Sequence, residues 1–477
     1  MKQVNCKTGE WGQKRGGKSM GNLPAGSKAF IWKQRGSLGA VEFGSKMLPF
    51  LTASGMMSYM MENIKISGAA ARMILLTGLA MSFLAAFVLS FVIDRTRKKS
   101  GRCRPWIYSG IILFAVSILL SLHVPKAAAG FGTVYAGIVF FALCFSVRLL
   151  TYPVEGLLAG MTRNTEERSN LASVKGFAGS LAGISAVFFA GRFTAPGLGG
   201  ADGGRQYVMV FTVVILASML IGSFFLKEAY LPPVPDSQRH GLKVYAEDFK
   251  AFFTDRYFLI LLLYGGMLMF GTSVFSTLHV GYTYGISGGT GNAALVKGIS
   301  YSVPLAAYLA VPFLTRKMTK RQCALLGTAV YGAACLLLLV SIKVLPVSYP
   351  ALIMAEVGRG FMWAMLWAME PDVFDHVDHD TGRARAVFPV AVISVVIGIG
   401  NGCAGVVRQC LTALAGNQGN LAEAAAQTDG RTSFIGIGFI LIPLAVSGVL
   451  AFALRFYKLD EEYPEIRREL DRRYKKE

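Results

Sequence analysis

Residues 105–124 read PWIYSGIILFAVSILLSLHV, a stretch without a single Asp, Glu, Lys or Arg. An α-helix of this length rises about 30 Å, which matches the hydrocarbon core of a bilayer. About a dozen mostly apolar stretches of similar length occur along the chain. Of its 477 residues, 53% are apolar and 16% are charged, against about 25% charged in soluble domains. This composition argues against a soluble enzyme and predicts an all-α, polytopic membrane protein.

Twelve helical spans are expected, and an even number places both termini on one side of the membrane. The predicted spans are 40–62, 70–93, 105–124, 131–160, 169–192, 206–229, 257–284, 293–315, 322–344, 350–374, 384–412 and 432–457. The chain has 48 basic and 28 acidic residues, a formal charge of +20. Nucleic acid is not the expected partner, because the basic residues concentrate in short segments between spans and at the C-terminus.

Basic segments face the cytoplasm by the positive-inside rule. They comprise Arg95, Arg97, Lys98, Lys99, Arg102 and Arg104; Arg316, Lys317, Lys320 and Arg321; and Arg467, Arg468, Arg472, Arg473, Lys475 and Lys476. We therefore expect a multi-pass protein of the cytoplasmic (inner) membrane with both termini in the cytoplasm.

The segment between the sixth and seventh spans reads as a linker, because it opens with LPPVPD and turns amphipathic at residues 242–253. A basic loop follows both the second and the eighth span, and a polar loop with Arg follows both the fourth and the tenth. This recurrence predicts two copies of one six-helix unit. The predicted divisions are a cytoplasmic tail at 1–38, a first bundle at 39–230, a linker at 231–256, a second bundle at 257–459 and a tail at 460–477.

Two motifs resemble known sites without the context that those sites need. Residues 12–19 (GQKRGGKS) spell a phosphate-binding loop, yet neither a preceding buried strand nor a following helix is expected there. Residues 375–380 (DHVDHD) offer metal-ligand types, but five such side chains on one short loop point in several directions, so we predict a solvated loop and no metal site. Neither a nucleophile elbow nor a zinc-protease helix is present, so catalysis and a cofactor are not expected.

Ionisable residues at membrane depth are the candidates for function, because each costs at least about 2.5 kcal/mol to insert and therefore usually faces a bundle interior. On the fourth span, Arg148, Thr151, Tyr152 and Glu155 share one helical face. The other candidates are Glu356, Arg359, Trp363, Trp367 and Glu370 on the tenth span, Asn401 and Arg408 on the eleventh, and Lys46 and Lys175 on the first and fifth. Aromatic faces beside charged hydrogen-bonding groups suit a polyhydroxylated ligand.

Purely structural interpretations, without a role in binding, stay open for several of these residues. Glu356 with Arg359, and Glu42 with Lys46, have the spacing of local ion pairs. Lys46, Lys175 and Arg408 could snorkel to an interface, and Trp363 and Trp367 could be packing or interface aromatics. The candidates include five cations and three anions, Glu155, Glu356 and Glu370; Glu42 is not counted among the anions. A positive interior predicts an anionic solute.

Several segments resemble the glycoside-pentoside-hexuronide:cation symporter family. They are residues 94–106 (DRTRKKSGRCRPW), 161–169 (MTRNTEERS), 371–375 (PDVFD) with 380–383 (DTGR), and 456–459 (FYKL). They occur in the family's order and spacing across residues 40 to 475. The resemblance implies two six-helix bundles in the major facilitator fold, which carry a sugar or glycoside with Na⁺ or H⁺ by alternating access.

The family's substrate and cation residues differ in this chain. Ser82 and Ala86, followed by Phe87, stand where the resemblance implies a sodium-binding pair of carboxylates. Lys46 and Thr151 replace sugar-binding acids. The family's arginine of the fifth span falls at Gly176 beside Lys175, and its lysine of the eleventh span falls near Gly398 without a lysine in reach.

We therefore expect a sugar, glycoside or hexuronide symporter whose coupling ion, H⁺ or Na⁺, stays open. Glu155 and Glu356 are the candidate proton relays, because a buried carboxyl beside a cation can be switched by a ligand. The candidate cytoplasmic latches are Asp94, Arg95, Glu167, Arg168, Asp375 and Arg383. We expect a monomer that contacts membrane lipid and a small-molecule substrate. The alternatives are a transporter of lysophospholipids or other amphiphiles with the same fold, and a membrane receptor that does not transport.

Overall fold

The structure, a computed structural model, describes residues 28–52, 68–96, 98, 100–123, 131–193, 201–228, 242–287, 290–340, 345–414 and 431–476. These ranges form fourteen α-helices and contain no strand. The helices are α1 (Lys28–Phe50), α2 (Gly68–Asp94), α3 (Arg104–Leu122), α4 (Gly132–Met161), α5 (Thr165–Phe193), α6 (Ala201–Phe225), α7 (Leu242–Thr254), α8 (Arg256–Ser287), α9 (Thr290–Leu314), α10 (Lys320–Val340), α11 (Leu345–Thr381), α12 (Val387–Leu414), α13 (Arg431–Arg455) and α14 (Leu459–Lys476). The phosphate-loop spelling at 12–19 lies outside the described residues.

Each of the twelve predicted spans overlaps one helix among α1–α6 and α8–α13, although residues 53–62 of the first predicted span lie outside the described residues. Within the described ranges, seven helices are long and apolar enough to cross a membrane, or up to eight when α13 and α14, bent by 45°, count as one span. The twelve spans predicted from the sequence outnumber these apolar helices partly because α1, α5 and α11 carry charged side chains among their apolar residues. Those charges are the candidate functional residues themselves.

Two apolar cores lie side by side. One is built almost entirely from α1–α6 and the other from α7–α14. Val387 and Ala391 of α12 pack into the first core, and Ala172 of α5 packs into the second. The two sets of helices therefore meet along a seam where α2 contacts α12 and α5 contacts both α9 and α11.

Small residues on α5 let α9 approach closely at this seam. A Cβ atom built on Gly176 would overlap the ring of Tyr308, and one on Gly183 would overlap the ring of Tyr301. Gly176 therefore leaves room for an aromatic side chain of the opposite bundle, while the neighbouring Lys175 supplies the positive charge.

Two boundaries differ from the sequence-based prediction. Helix α1 begins at Lys28 rather than at residue 40, so part of the predicted tail is helical, and Gln34 donates a hydrogen bond to the Phe225 carbonyl. Helix α11 continues to Thr381, so the predicted loop at 375–380 is its last turn and a half. Polar residues extend both helices because their side chains bind neighbouring elements.

The connections α2–α3, α4–α5, α9–α10 and α11–α12 all lie at one end of the molecule, which we call the basic end. The amphipathic helix α7 lies within the predicted linker 231–256 and packs at the basic end against α8 and α11. Helix α14 also lies at the basic end, where it packs against α11.

Candidate functional site

Five charged side chains from four helices converge at the seam. The Nζ atom of Lys46 lies 2.5 Å from Oε1 of Glu155, and Lys175 contacts the other oxygen of the same carboxylate. Glu42, one turn before Lys46, lies within 4 Å of both ammonium groups. Glu370 of α11 interacts with both lysines through Coulomb forces but forms no ion pair with a described residue. We call these five residues the seam cluster. Because Lys175 is 1% exposed and bound to Glu155, it does not snorkel to an interface.

The seam cluster contains more carboxylates than ammonium groups. Three glutamates, Glu42, Glu155 and Glu370, face two lysines. Sequence reasoning included Glu370 among the candidate anions but counted Glu42 only as a local partner of Lys46. Their positions three or four residues from Lys46 and Trp367 were the available signal.

Glu42 is the buried member without a direct hydrogen bond. Its side chain is 1% exposed, and both of its oxygens lack a hydrogen-bond partner among the described residues. The Nζ atoms of Lys175 and Lys46 lie 3.7 Å and 3.9 Å away. These distances give Coulomb attraction but are too long for hydrogen bonds.

The predicted stripe on α4 presents two further unpaired groups. Arg148 forms no ion pair with any described residue, and its buried Nε lacks a hydrogen-bond partner in that part of the chain. Its guanidinium carbon lies 5.8 Å from the ring centre of Tyr152, whose hydroxyl donates to the Ser82 carbonyl. Thr151 Oγ1 is likewise buried without a partner among the described residues. Buried polar groups are normally satisfied, so these two require an explanation.

On α11, the acidic and basic candidates form the local pair that their spacing allowed. Arg359 Nε lies 2.5 Å from Glu356, and its terminal nitrogen donates to the Ser300 carbonyl of α9. The ring centres of Trp363 and Trp367 lie 5.5 Å apart with the rings tilted by 36°, and the Trp367 ring also lies 5.2 Å and 5.6 Å from the Nζ atoms of Lys175 and Lys46. Trp367 therefore joins the seam cluster through cation–π contacts.

The candidates on α12 are placed differently. Asn401 accepts a hydrogen bond from Ser273 of α8 at 2.9 Å rather than from the seam cluster, and both Asn401 and Arg408 are exposed. The five-to-three charge count thus does not describe the site. Glu42 adds a fourth anion, Arg359 is neutralised by Glu356, and Arg148 forms no ion pair with a described residue.

The place of the family's sodium site lacks carboxylates. Ser82 donates its hydroxyl to the Gly78 carbonyl one turn earlier, and Ala86 is fully buried among apolar side chains. Na⁺ is a hard cation that prefers oxygen ligands. These two positions therefore offer it no anionic ligand.

At the basic end, Asp94 of α2 binds the start of α12 across the seam. Its two oxygens accept hydrogen bonds from the backbone N–H groups of Ala386, Val387 and Phe388 at 2.7–3.1 Å. Such donors are unsatisfied at a helix N-terminus, where a carboxylate is also favoured by the helix dipole.

A second latch uses the linker helix α7. The carboxylate of Asp248 binds Arg95 of the first bundle at 2.5 Å, and it binds Arg383 and Arg385 of the second at 2.8 Å and 2.9 Å. Asp248 was missed in the sequence because a lone acid on an amphipathic helix resembles an ordinary solvated residue.

A third latch joins α5 to α11 and α14. Arg168 binds Asp372 at 2.8 Å and Asp375 at 2.9 Å, and it donates to the hydroxyl of Tyr463. Glu167, in contrast, pairs with Arg35 inside the first bundle, so it braces one bundle and does not cross the seam.

The acidic and histidine residues near 375–380 lie on a helix with a distant partner that the sequence did not indicate. Asp255, at the start of α8, lies 2.7 Å from Nδ1 of His376, and Asp380 completes a group whose ligand-type atoms lie within 4.8 Å of one another. Burial lowers the pKa of His376, but the Asp255 carboxylate outweighs it, and the net pKa is raised. The raised pKa of His376 favours an ion pair with Asp255 in this group.

Helices in two bundles, a charged cluster at their seam and latches at one end define a membrane transporter of the major facilitator type, and not an enzyme. The chain belongs to the family described as MFS/sugar transport protein, which it matches over residues 37–461. The resemblance to the glycoside-pentoside-hexuronide:cation symporters is thereby confirmed.

Relatives and solved structures agree with this membership. The chain is 23% identical to the isoprimeverose transporter of Lactiplantibacillus pentosus, covering 94% of this chain and 92% of the relative. It is 24% identical to the glucuronide carrier protein homolog of Escherichia coli, covering 88% and 91%. The E. coli fucose:proton symporter FucP matches with a TM-score of 0.61 at 12% identity, covering 90% of this chain and 99% of that one. The proton:xylose symporter XylE matches with a TM-score of 0.55 at 14% identity, covering 87% and 95%.

Proposed function

We propose that this protein is a symporter for a sugar that carries a carboxylate, such as a hexuronide. It binds the solute between the two bundles and exposes it to each side of the cytoplasmic membrane in turn. The relatives named for a glucuronide and for isoprimeverose support a sugar as the cargo. The basic end is the cytoplasmic end under the positive-inside rule.

One observation carries the choice of an acidic sugar. Lys46, Lys175 and Arg359 each have a carboxylate partner, whereas Arg148 forms no ion pair among the described residues. A guanidinium at membrane depth is costly unless an anion compensates it. A solute carboxylate provides that anion through a bidentate, charge-assisted hydrogen bond, and Thr151 supplies an adjacent hydroxyl.

The aromatic rings of α11 supply the other half of a sugar site. Trp363 and Trp367 are both partly exposed and lie beside the seam cluster. A sugar ring presents an apolar CH face, which packs on an indole plane, while its hydroxyls bind neighbouring charged groups. Glu155 and Lys46, with 15% and 28% of their side chains exposed, are placed for the hydroxyls.

The test compares two solutes that differ only at C6, methyl β-glucuronide and methyl β-glucoside, in counterflow with purified protein in proteoliposomes. We expect the wild type to prefer the glucuronide. Arg148→Gln should lower its transport efficiency about 10- to 100-fold, because a hydrogen bond to a charged group contributes about 1.5–3 kcal/mol. Arg148→Lys should retain part of the preference, since it keeps the charge but loses the planar fork.

Arg256→Gln is the matched control, because Arg256 is an exposed arginine that pairs with Glu462 at the basic end. It should leave the preference unchanged. Equal transport of both solutes by the wild type would refute an acidic cargo, and competition by lysophospholipid in place of either sugar would favour the amphiphile carrier. Binding of the glucuronide without counterflow would identify a receptor.

A further inference from the structure

The charge balance of the seam cluster is uneven. With every group ionised, Glu42, Glu155 and Glu370 carry three negative charges, and Lys46 and Lys175 carry two positive charges. These five residues come from α1, α4, α5 and α11, and they are the charged groups that face one another there. An uncompensated carboxylate away from water is strongly disfavoured. One bound proton removes the surplus charge.

Among the three carboxylates, Glu42 is the one whose two oxygens are both buried without a hydrogen-bond partner in the part of the chain that the structure describes. Glu155 binds both lysines directly and is partly exposed, so its charge is compensated. Glu42 has a nearly inaccessible side chain, no hydrogen bond to either oxygen among the described residues, and ammonium groups no nearer than 3.7 Å. A protonated carboxyl needs less compensation than a carboxylate, and these surroundings provide little.

From this arrangement we infer that transport is coupled to protons and that Glu42 carries the coupling proton. This inference rests on the function proposed above and deepens it, because it assigns the coupling ion and its residue. It replaces Glu155 and Glu356, the two relay candidates from the sequence, since Glu155 binds both lysines and Glu356 is neutralised by Arg359.

The bound proton and the bound solute then reinforce each other. An arriving solute carboxylate adds negative charge to the cavity, which favours the neutral form of Glu42, and the neutral form favours arrival of the anion. A proton from water on one side binds a Glu42 oxygen, and the same proton leaves that oxygen on the other side. Because Glu42 is shielded from water, it keeps the proton until the bundles rearrange.

The experiment measures exchange and accumulation separately in proteoliposomes, with methyl β-glucuronide as the probe. An imposed gradient of one pH unit should support about tenfold accumulation by wild type if one proton moves with each solute. Glu42→Gln mimics the protonated carboxyl, so it should retain counterflow yet reduce gradient-driven accumulation to the level without a gradient. Retained accumulation in this variant, or accumulation driven by sodium instead, would overturn the inference.

Two companion variants fix the assignment. Ser45→Ala removes another buried polar group of α1 whose hydroxyl lacks a partner among the described residues, and it should leave accumulation intact. Glu370→Gln removes the third carboxylate of the seam cluster. If Glu370→Gln abolishes accumulation while Glu42→Gln does not, the proton belongs to Glu370 and the assignment to Glu42 is wrong.

A readout without solute keeps the two proposals distinguishable. Infrared spectroscopy of the purified protein at neutral pH should show the carbonyl stretch of a protonated, slowly exchanging carboxyl, and Glu42→Gln should remove it. The absence of this band from wild type refutes the inference even if transport of the glucuronide is observed. Its presence, and its loss in Glu42→Gln, supports the assignment even if the glucuronide proves to be the wrong cargo.

Discussion

Lys175 is a charged side chain with 1% exposure at the middle of the molecule, and Glu155 is the group that it contacts most closely. Glu155 also binds Lys46. A single carboxylate thus compensates two ammonium groups contributed by two other helices, α1 and α5. The arrangement makes Glu155 a structural bridge as well as a candidate for binding hydroxyls.

Replacing this carboxylate should therefore destabilise the protein. Glu155→Gln leaves Lys175 buried with only the more distant Glu42 and Glu370, and we expect a loss of about 3 kcal/mol, the lower end for a broken buried pair because Glu155 is partly exposed. Thermal unfolding in detergent measures it. Glu166→Gln is the control, since Glu166 pairs with Arg316 at the exposed surface and such pairs contribute about 1 kcal/mol or less. Equal unfolding temperatures for the two variants would contradict the bridge.

Single residues could be predicted where the free-energy cost of placing their charge in an apolar helix was evident. Lys46, Arg148, Glu155 and Lys175 were identified because an ionisable group in an apolar helix demands an explanation. Glu42 was not, because the i, i+4 spacing to Lys46 offered a sufficient local partner. The choice between local pairing and a shared cluster depends on which helices meet, and one sequence does not contain that information.

Helix α14 shows how an element can be assigned by its charges to a tail and yet be part of the fold. His379, near the end of α11, binds Glu469 of α14 at 2.6 Å and Asp380 at 2.7 Å. The hydrogen bond to Glu469 and then that to Asp380 raise the pKa of His379, while the pKa of Glu469 is lowered by the same histidine. The two shifts agree in sign, and both favour an ion pair between His379 and Glu469 that joins α14 to α11.

This contact predicts a pH dependence for the docking of α14. A raised histidine pKa gives stabilisation that is complete below the unfolded value of about 6.5 and is lost as the pH rises through the folded-state value. Hydrogen exchange of residues 459–476 should therefore accelerate above neutral pH more than the intrinsic rate does. His379→Gln should flatten this extra dependence, and an unchanged profile in that variant would show that docking does not depend on the histidine.

Whole helices were easier to predict than their ends. The apolar stretches located α2, α3, α4 and α8 within a few residues. The start of α1 and the end of α11 were missed because those helical turns are polar. Polar helical turns resemble loops in a sequence when the residues that their side chains bind are unknown. Arg35 bound to Glu167 and His376 bound to Asp255 are such partners.

At the scale of the molecule, the two bundles are joined at the basic end by contacts that opening must break. Asp94 is the test position, because it binds three backbone N–H groups of the opposite bundle. Asp94→Ala should weaken the closed form by about 0.5–2 kcal/mol, the usual cost of losing a helix cap. The exchange rate should then change more than the half-saturation concentration does, and a cysteine placed at Ser173 on α5 should be labelled about 2- to 30-fold faster.

Glu228 provides the matched control. Its carboxylate accepts hydrogen bonds from the N–H groups of Arg102, Cys103 and Arg104 at the start of α3, within the first bundle. Glu228→Ala should lower thermal stability by a similar amount and leave labelling at Ser173 unchanged. A change in half-saturation alone for Asp94→Ala would show that Asp94 is no latch.

Hydropathy and basic segments were enough to predict an all-α membrane protein with two related halves, because those signals are repeated along the chain. Hydropathy and basic segments did not predict which residues pair across the seam. The pairs of Asp248 with Arg95 and Arg383, and of Arg168 with Asp372, join residues 135 to 204 positions apart, and each residue has several equally charged neighbours in sequence.

Asp248 forms ion pairs with arginines of both bundles, so the linker helix α7 that connects the bundles is also bound to each of them. When the two bundles separate at the basic end, the Asp248 carboxylate can stay paired with the arginines of one bundle only. The arginines of the other bundle are then solvated by water or paired with salt ions. The cost of that exchange falls as ionic strength rises. Ionic strength at the basic end is therefore expected to affect how readily the two bundles separate there.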